Sequence, residues 1–318
     1  MSSQNVDILV SEVGPRDGLQ SIKQVMPLAA KKAWINALVD AGVQEIEVGS
    51  FVSPKLLPQM ADTAEVVRHA LAHRGLTVAA LVPNLHGARA AIEAGVHKIT
   101  IPFSASETHS LKNVRRTHEQ MFEEVRGIAE LIKSLPADRR PRFEGGMSTA
   151  FGCTYEGVVS ADKVVSLAAQ LMQAGADEVG LSDSVGYANP QQVKDLVTRV
   201  RSEIGHEAFA GLHMHNTRGL GLANVVAGIE VGVQVFDSSL TGLGGCPFAP
   251  GATGNIVTED LVFMLEAMGL RTGIDMGKLL AVREILRAAL PGEALYGYVP
   301  EAGLPLGFHA ATPAGTAD

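Results

Sequence analysis

Four side chains with nitrogen or oxygen donors stand out by type and spacing. In GLHMHNTRG (211–219), His213 and His215 are two apart, so on a β-strand both imidazoles project from one face while Met214 takes the other. Each neutral imidazole offers a lone pair, and two on one face are the start of a site for a divalent transition metal. Further on, VFDSSLTGLGGCPFAPGATGN (235–255) carries Cys246 inside a glycine-rich loop and ends at Asn255. Near the N-terminus, EVGPRDGLQ (12–20) sets Arg16 beside Asp17 after a short β-rich run. Asp17, His213, His215 and the amide oxygen of Asn255 make a set of N/O donors. An octahedral cation held by these would keep about two positions for substrate or water, the arrangement of an open catalytic site. Taken singly, each feature has an ordinary explanation. Arg16–Asp17 reads as a surface ion pair, Cys246 as a small buried residue, and GLGG as a plain loop.

The elements that must position these residues follow from a recurring unit. DAGVQEIEV (40–48), EAGVHKITI (93–101), QAGADEVGL (173–181) and EVGVQVFDS (230–238) share one pattern. An amphipathic helix ends, a glycine supplies the left-handed residue, and a β-rich run begins two or three residues later. Eight strands are expected, near Ile8–Val13, Glu45–Gly49, Thr77–Val82, Lys98–Phe103, Arg142–Ser148, Glu178–Ser182, Ala210–His215 and Val233–Leu240. The helices between them begin near Leu28, Ala61, Leu85, Thr117, Ala161, Pro190, Gly219 and Val257. Ser160 and Asn189 stand at the N-cap positions of two of these helices, with Pro190 at N1. Parallel strands joined by crossover helices are implied. Eight such units in 318 residues suit an α/β fold of the (β/α)₈ TIM-barrel type. No G-x-G-x-x-G follows the first strand, which disfavours a dinucleotide-binding sheet. The barrel is expected over residues 1–275. A further helix near Met276–Leu290 and a Pro/Gly-rich tail, over 276–318, are expected to pack on it, with the residues after about Phe308 frayed.

In such barrels the C-terminal strand ends and the loops after them form the active-site mouth. Those positions carry Arg16 and Asp17, Glu47 and Ser50, Asn84, Ser148 and Thr149, Asp183, His213 and His215, and then Cys246 and Asn255. Charges gathered in so tight a ring must be paired or bound to metal. Composition narrows the function classes. A net charge of −8 argues against a nucleic-acid partner. No uncharged apolar run reaches membrane-span length, and the N-terminus shows no export signal. Two cysteines cannot build a disulfide framework and fit a reducing, cytoplasmic setting. Cys153 reads as structural, and His86, His97, His109 and His118 show no ligand spacing.

VGPRDGLQ (13–20), SFVSPKLLPQMAD (50–62), LHMHNTRG (212–219) and GLGGCPFAPGATGNIVTEDLV (242–262) resemble the 3-hydroxy-3-methylglutaryl-CoA lyase family over about residues 5–275. That family belongs to the metal-dependent (β/α)₈ lyases and Claisen-type synthases. The synthases usually continue into a regulatory C-terminal domain, for which this sequence is expected to be too short. The resemblance implies a divalent cation, Mg²⁺ or Mn²⁺, on Asp17, His213, His215 and Asn255. It implies a catalytic arginine at Arg16, a glutamate at Glu47, a supporting aspartate at Asp183 and a reactive cysteine at Cys246. The implied reaction is retro-Claisen cleavage of a 3-hydroxyacyl-CoA. Arg16 would donate to the thioester oxygen, His213 or Asp17 would take the C3 hydroxyl proton, and Cys246 would protonate the enolate carbon. Lys23 and Lys55 are candidate contacts for the coenzyme phosphates, and a homodimer or higher homo-oligomer is expected.

Several positions depart from the family pattern. Ile22 replaces an acidic residue, and Asn216 and Arg218 replace an aspartate and a tyrosine. In the fifth strand Glu144 stands where an arginine is usual and Gly146 where a tyrosine is usual. With the metal and cleavage residues retained, these changes bear on the acyl group. Citramalyl-CoA or a longer 3-substituted homologue stands beside 3-hydroxy-3-methylglutaryl-CoA as an expected substrate. A Claisen condensing transferase of the same superfamily and an acyl-CoA-binding sensor are the alternatives in function. The tail lacks a C-terminal cysteine motif, so a redox disulfide between subunits is not expected.

Overall fold

Glycine ends the helices that feed the strands wherever the recurring unit requires it. Gly42, Gly95, Gly175 and Gly232 have φ of +100°, +90°, +107° and +82°, a region that residues with a Cβ rarely occupy. The computed structural model describes residues 6–244 and 254–312. Among these, the chain alternates β1 (Leu9–Glu12), α1 (Leu28–Asp40), β2 (Glu45–Ser50), α2 (Thr63–Ala70), β3 (Thr77–Leu81), α3 (Leu85–Ala94) and β4 (Lys98–Ser104). It continues with α4 (Glu107–Asn113), α5 (His118–Lys133), β5 (Arg142–Ser148), α6 (Ala161–Ala174), β6 (Glu178–Asp183), α7 (Pro190–Ile204), β7 (Phe209–Met214), α8 (Gly221–Glu230) and β8 (Val235–Ser238). Three helices follow: α9 (Thr258–Ala267), α10 (Met276–Ala289) and α11 (Tyr298–Ala302). Each strand pairs in parallel with the next, and β8 returns to β1 through Leu9↔Val235 and Val10↔Phe236, closing a TIM-type barrel.

The period of two divides each strand into two faces. The outward residues Val10, Ile46, Val78, Ile99, Phe143 and Phe236 are buried in one apolar core with Trp34, Leu38, Val125 and Leu171 from the helices. Beside Leu81 and Val235, the inward residues include Ser11, Glu45, Glu47, Lys98, Thr100, Glu144 and Gly146, where barrels of this type usually carry branched apolar side chains. Lys98 lies inside, with its Nζ 2.7 Å from Glu144, 3.2 Å from Glu178 and 3.7 Å from Glu45. Burial pushes the Glu144 carboxyl up to about 7 against the opposing charge of Lys98.

The last elements are tied to the barrel. Arg283 of α10 bonds Glu259 of α9 at 2.5 Å, both buried. Phe308 packs on Phe263 with ring centroids 5.3 Å apart, and the Ala311 N–H donates to Glu266 at 2.7 Å. Three local differences from the sequence expectation have physical causes. Helix α4 is only seven residues long, too short for a periodicity reading, and starts where Ser106 Oγ accepts the His109 N–H. Residues Gly14–Gly18 form one wide π-helical turn instead of an open loop. Strand β8 stops at Ser238, because the N–H groups of Leu240 and Thr241 are taken by the buried carboxyl groups of Glu12 and Glu259.

Candidate active site

The turn Gly14–Gly18 carries Arg16 and Asp17 to the C-terminal rim. It is locked from below by Glu12, which accepts hydrogen bonds from the Gly14 N–H at 2.8 Å, the Leu240 N–H at 2.9 Å and the Thr258 hydroxyl at 2.6 Å. The Arg16 guanidinium donates through Nε to Glu47 Oε2 and through Nη1 to Asp17 Oδ1, both at 2.5 Å. The other oxygen of Asp17 accepts Nδ2–H of Asn255 at 2.7 Å. Asn255 is brought there by a bridge to His215, the residue just past the end of β7.

The imidazoles complete the cluster. His213 Nδ1 faces Asp237 Oδ2 at 3.0 Å, which holds the ring proton on Nδ1 and turns Nε2 inward. Nε2 of His213 is 3.1 Å from Nε2 of His215 and 3.9 Å from Asp17 Oδ2. One donor atom each from Asp17, His213 and His215 lie within 4.8 Å of one another.

The electrostatics are those of a cation cradle. Burial would raise Asp17, but Arg16 and the two imidazoles outweigh it and hold the carboxylate well below its usual range. Burial, with the neighbouring His213, pulls His215 down to about 3, leaving it a neutral donor. For His213 burial acts downward, yet the hydrogen bond and charge of Asp237 outweigh it and leave the ring raised. Burial pushes Glu47 up, against Arg16.

The residues themselves fit a divalent ion. Asn255 Oδ1 is buried without a partner among the described residues, a costly state for an amide oxygen. The two ring nitrogens are separated by nearly the ~3.0 Å expected of adjacent donors at ~2.1 Å on one octahedral ion.

The cluster opens into a cavity of about 690 Å³ whose wall includes Arg16, Asp17, Glu47, His213, His215 and Asp237. Not every expected residue is there. Asp183 is buried but faces away, accepting the N–H groups of Tyr187 and Ala188 at 2.8 and 3.0 Å, so it orders the β6–α7 turn instead of touching the cluster. The strand period explains this, since Ser182 takes the inward position. Lys23 and Lys55 are exposed and do not line the cavity. Lys112 from the last turn of α4, and Arg115 and Arg116 from the link to α5, line it instead. Cys246 lies outside the described residues. Cys153 is buried, with Sγ 3.1 Å from Ser106 Oγ.

Two groups were missed by sequence reasoning. Asp237 is an inward carboxylate in VFDSS whose period-two position on β8 was readable. His109 meets Ser104 Oγ at 2.8 Å, and that hydroxyl is 3.0 Å from Ser148 Oγ on the cavity wall.

Fold and site together define a (β/α)₈-barrel enzyme with a candidate metal site at the C-terminal rim. The HMGL-like family model matches residues 7–286, and the chain belongs to that family. It is 41% identical over 283 residues to the mitochondrial hydroxymethylglutaryl-CoA lyase of Rattus norvegicus, covering 89% of this chain and 86% of the relative. It is 41% identical over 279 residues to the 3-hydroxy-3-isohexenylglutaryl-CoA/hydroxymethylglutaryl-CoA lyase of Pseudomonas aeruginosa, covering 88% of this chain and 91% of that one. Among solved structures, an HMG-CoA lyase from Acinetobacter baumannii in complex with coenzyme A and 3-methylmalate superposes with a TM-score of 0.88 at 42% identity. That match covers 97% of this chain and 99% of the other.

Proposed function

We propose that the protein is a divalent-metal-dependent carbon–carbon lyase. It cleaves 3-hydroxy-3-methylglutaryl-CoA, or a close 3-hydroxyacyl-CoA such as citramalyl-CoA, to acetyl-CoA and acetoacetate or the corresponding keto acid. The observation that carries this reading is the meeting of Asp17, His213 and His215 within 4.8 Å at the mouth of the cavity. The family membership supports it.

Asp17, His213, His215 and Asn255 would hold the ion, Mg²⁺ or Mn²⁺, which when bound lowers the pKa of a substrate hydroxyl and fixes the chelated carbon skeleton. Arg16 is clamped at Nε and Nη1 by Glu47 and Asp17, while Nη2 has no partner among the described residues. It is therefore preorganised to donate to the thioester oxygen, where charge accumulates during cleavage, a contribution of about 3–4 kcal/mol. Glu47 and Asp17 keep that guanidinium from swinging.

Two groups compete to take the C3 hydroxyl proton. Asp17 is held ionised and is the weaker base, whereas His213, backed by Asp237, is the stronger one unless its Nε2 is committed as a donor. Cys246 is proposed as the acid that protonates the departing carbon, on the resemblance of its glycine loop. The rim cations Lys112, Arg115 and Arg116 are better placed for the coenzyme phosphates than Lys23 and Lys55. We also read the enzyme as a cytoplasmic homo-oligomer, on its two-cysteine composition and its family resemblance.

Purified protein supplied with Mn²⁺ and 3-hydroxy-3-methylglutaryl-CoA, and separately with acetyl-CoA and a 2-oxo acid, tests the reaction. Acetoacetate from the first mixture and no CoA release from the second is the expected result. CoA release confined to the second would replace cleavage by Claisen condensation.

A further inference from the structure

The cavity continues below the donor cluster. Its wall runs down the barrel past Ala79, Thr100 and Gly146 to Glu144, Lys98 and Val235, a region that (β/α)₈ barrels usually fill. Val235 precedes Asp237, the partner of His213, by two residues on β8. At about 3.3 Å per residue and a strand tilt near 36°, that is about 5 Å of extra depth, enough for roughly four chain atoms. Gly146 opens this well, since a Cβ there would stand only 2.9 Å from Thr100 Cγ2. Gly180 lets Glu144 lie across the interior, because a Cβ on it would collide with Glu144 Oε1.

The well is polar. Glu144 Oε2 bonds Lys98 at 2.7 Å, while Oε1 lies against Gly180, on a residue that lines the cavity. The Lys98 ammonium is surrounded by Glu45, Glu144 and Glu178, and Arg142 meets Glu178 from the far side. Lys98 and Arg142 are both taken up by these carboxyl groups, so the floor is rich in acceptor oxygens and offers a carboxylate no unpaired cation among the described residues. Such a floor disfavours a carboxylate. It also disfavours a bare alkyl tip, which would strip water from Glu144 without replacing the hydrogen bond.

A 3-hydroxyacyl thioester with a second carboxyl group has three arms on C3 besides its hydroxyl. The thioester arm must leave through the mouth with the coenzyme, and the carboxylate arm is kept from the floor by its charge. Only the third substituent can descend. Resting on the lyase reading above, we propose that this enzyme cleaves substrates whose C3 substituent is longer than methyl and ends in a hydroxyl or similar hydrogen-bond donor. Gly146 is the entrance and Glu144 the acceptor at its end; both set specificity.

The test compares wild-type kcat/KM, under one Mn²⁺ concentration, for 3-hydroxy-3-methylglutaryl-CoA and its analogues bearing 3-hydroxypropyl or butyl in place of the methyl group. The hydroxypropyl substrate is expected to exceed the equally long butyl one by about tenfold or more. Gly146→Val should depress hydroxypropyl cleavage at least tenfold more than cleavage of the methyl substrate. Glu144→Leu, checked for folding by its melting temperature, should erase the preference. Butyl equal to or better than hydroxypropyl overturns the proposal. Cleavage of the methyl substrate alone overturns it too while leaving the lyase reading intact. No cleavage of any of the three removes the lyase reading and the proposal together.

Discussion

Asp237→Asn removes one charge and almost no volume, and its consequences separate binding from folding. Asp237 Oδ2 accepts the His213 Nδ1–H at 3.0 Å, which fixes the tautomer and turns Nε2 toward His215 and Asp17. Carboxylates that support a ligating histidine in this way are typically worth 10- to 100-fold in metal affinity, or about 1.4–2.7 kcal/mol. Asparagine can still accept the proton, but without the charge that strengthens the imidazole as a donor. The same charge adds to the upward pressure that burial places on Glu47 and Glu144. Its loss therefore relieves repulsion among buried carboxylates. The expected result is Mn²⁺ binding weakened about 10- to 100-fold by calorimetric titration, with a melting temperature in EDTA no lower than wild type. Turnover at saturating Mn²⁺ returns if His213 is only a ligand, and stays depressed if it also takes the proton. Mn²⁺ affinity within about threefold of wild type would refute the supporting role given to Asp237. A melting temperature several degrees lower would make any affinity loss a folding effect.

Arg16→Gln should lower kcat by about 10²–10³ while Mn²⁺ still binds, since it removes the donor to the developing oxyanion and leaves Asp17 and both imidazoles in place; a loss below tenfold in a steady-state assay would rule that donor out. Glu12 supplies a pH test, because burial pushes its carboxyl from 4.5 up to about 8 despite its three hydrogen bonds. Between those values the folded chain holds a proton that the unfolded chain has released, so this group makes stability fall as pH rises, by about 1.4 kcal/mol per unit. Glu12→Gln should thus gain stability relative to wild type from about pH 5 to about pH 8 in urea denaturation, and a difference that stays flat with pH would contradict the buried neutral carboxyl. Lys98→Met strands Glu45, Glu144 and Glu178 without their shared cation and should cost about 3–5 kcal/mol of stability by the same method. A cost under about 1 kcal/mol would mean the carboxylates find other partners or protonate freely.

The architecture was legible because helix, glycine and strand recur in fixed order, and Gly42, Gly95, Gly175 and Gly232 all adopt the conformation that order demands. Arg16, Asp17, Glu47 and the two histidines were legible because they close β-rich runs, and strand ends converge on one rim of a barrel. Asp237 was passed over for a related reason. It stands inside a strand, and its meeting with His213 depends on the β7–β8 register, His213↔Asp237, which neither strand's sequence discloses alone. Asp183 also ends β6, but alternation from Gly180 and Ser182 turns it to the β6–α7 turn, where it accepts the N–H groups of Tyr187 and Ala188. The Ser104–His109 contact required α4, an element too short to announce itself by periodicity.

The two faces of the strands explain how a barrel with a hollow, charged interior stays folded. Ile46, Ile99, Phe143 and Phe236 are fully buried between strands and helices, and side chains of this kind contribute about 1.5–3 kcal/mol each on burial. The outer layer thus carries the folding free energy that other barrels share with an apolar interior. Freed of that duty, inward positions can hold groups that are costly to bury, provided each finds a partner. Lys98 finds carboxylates, Arg16 finds Glu47 and Asp17, and His213 finds Asp237. At the rim, Glu47 Oε1 and Asn255 Oδ1 are buried without a partner among the described residues, as a site built to receive a ligand requires, and Glu144 lines the well below. On this reasoning an apolar residue placed at Gly146 or Gly180 should alter what the enzyme cleaves, whereas a polar residue placed at Ile99 or Phe143 should prevent the barrel from closing.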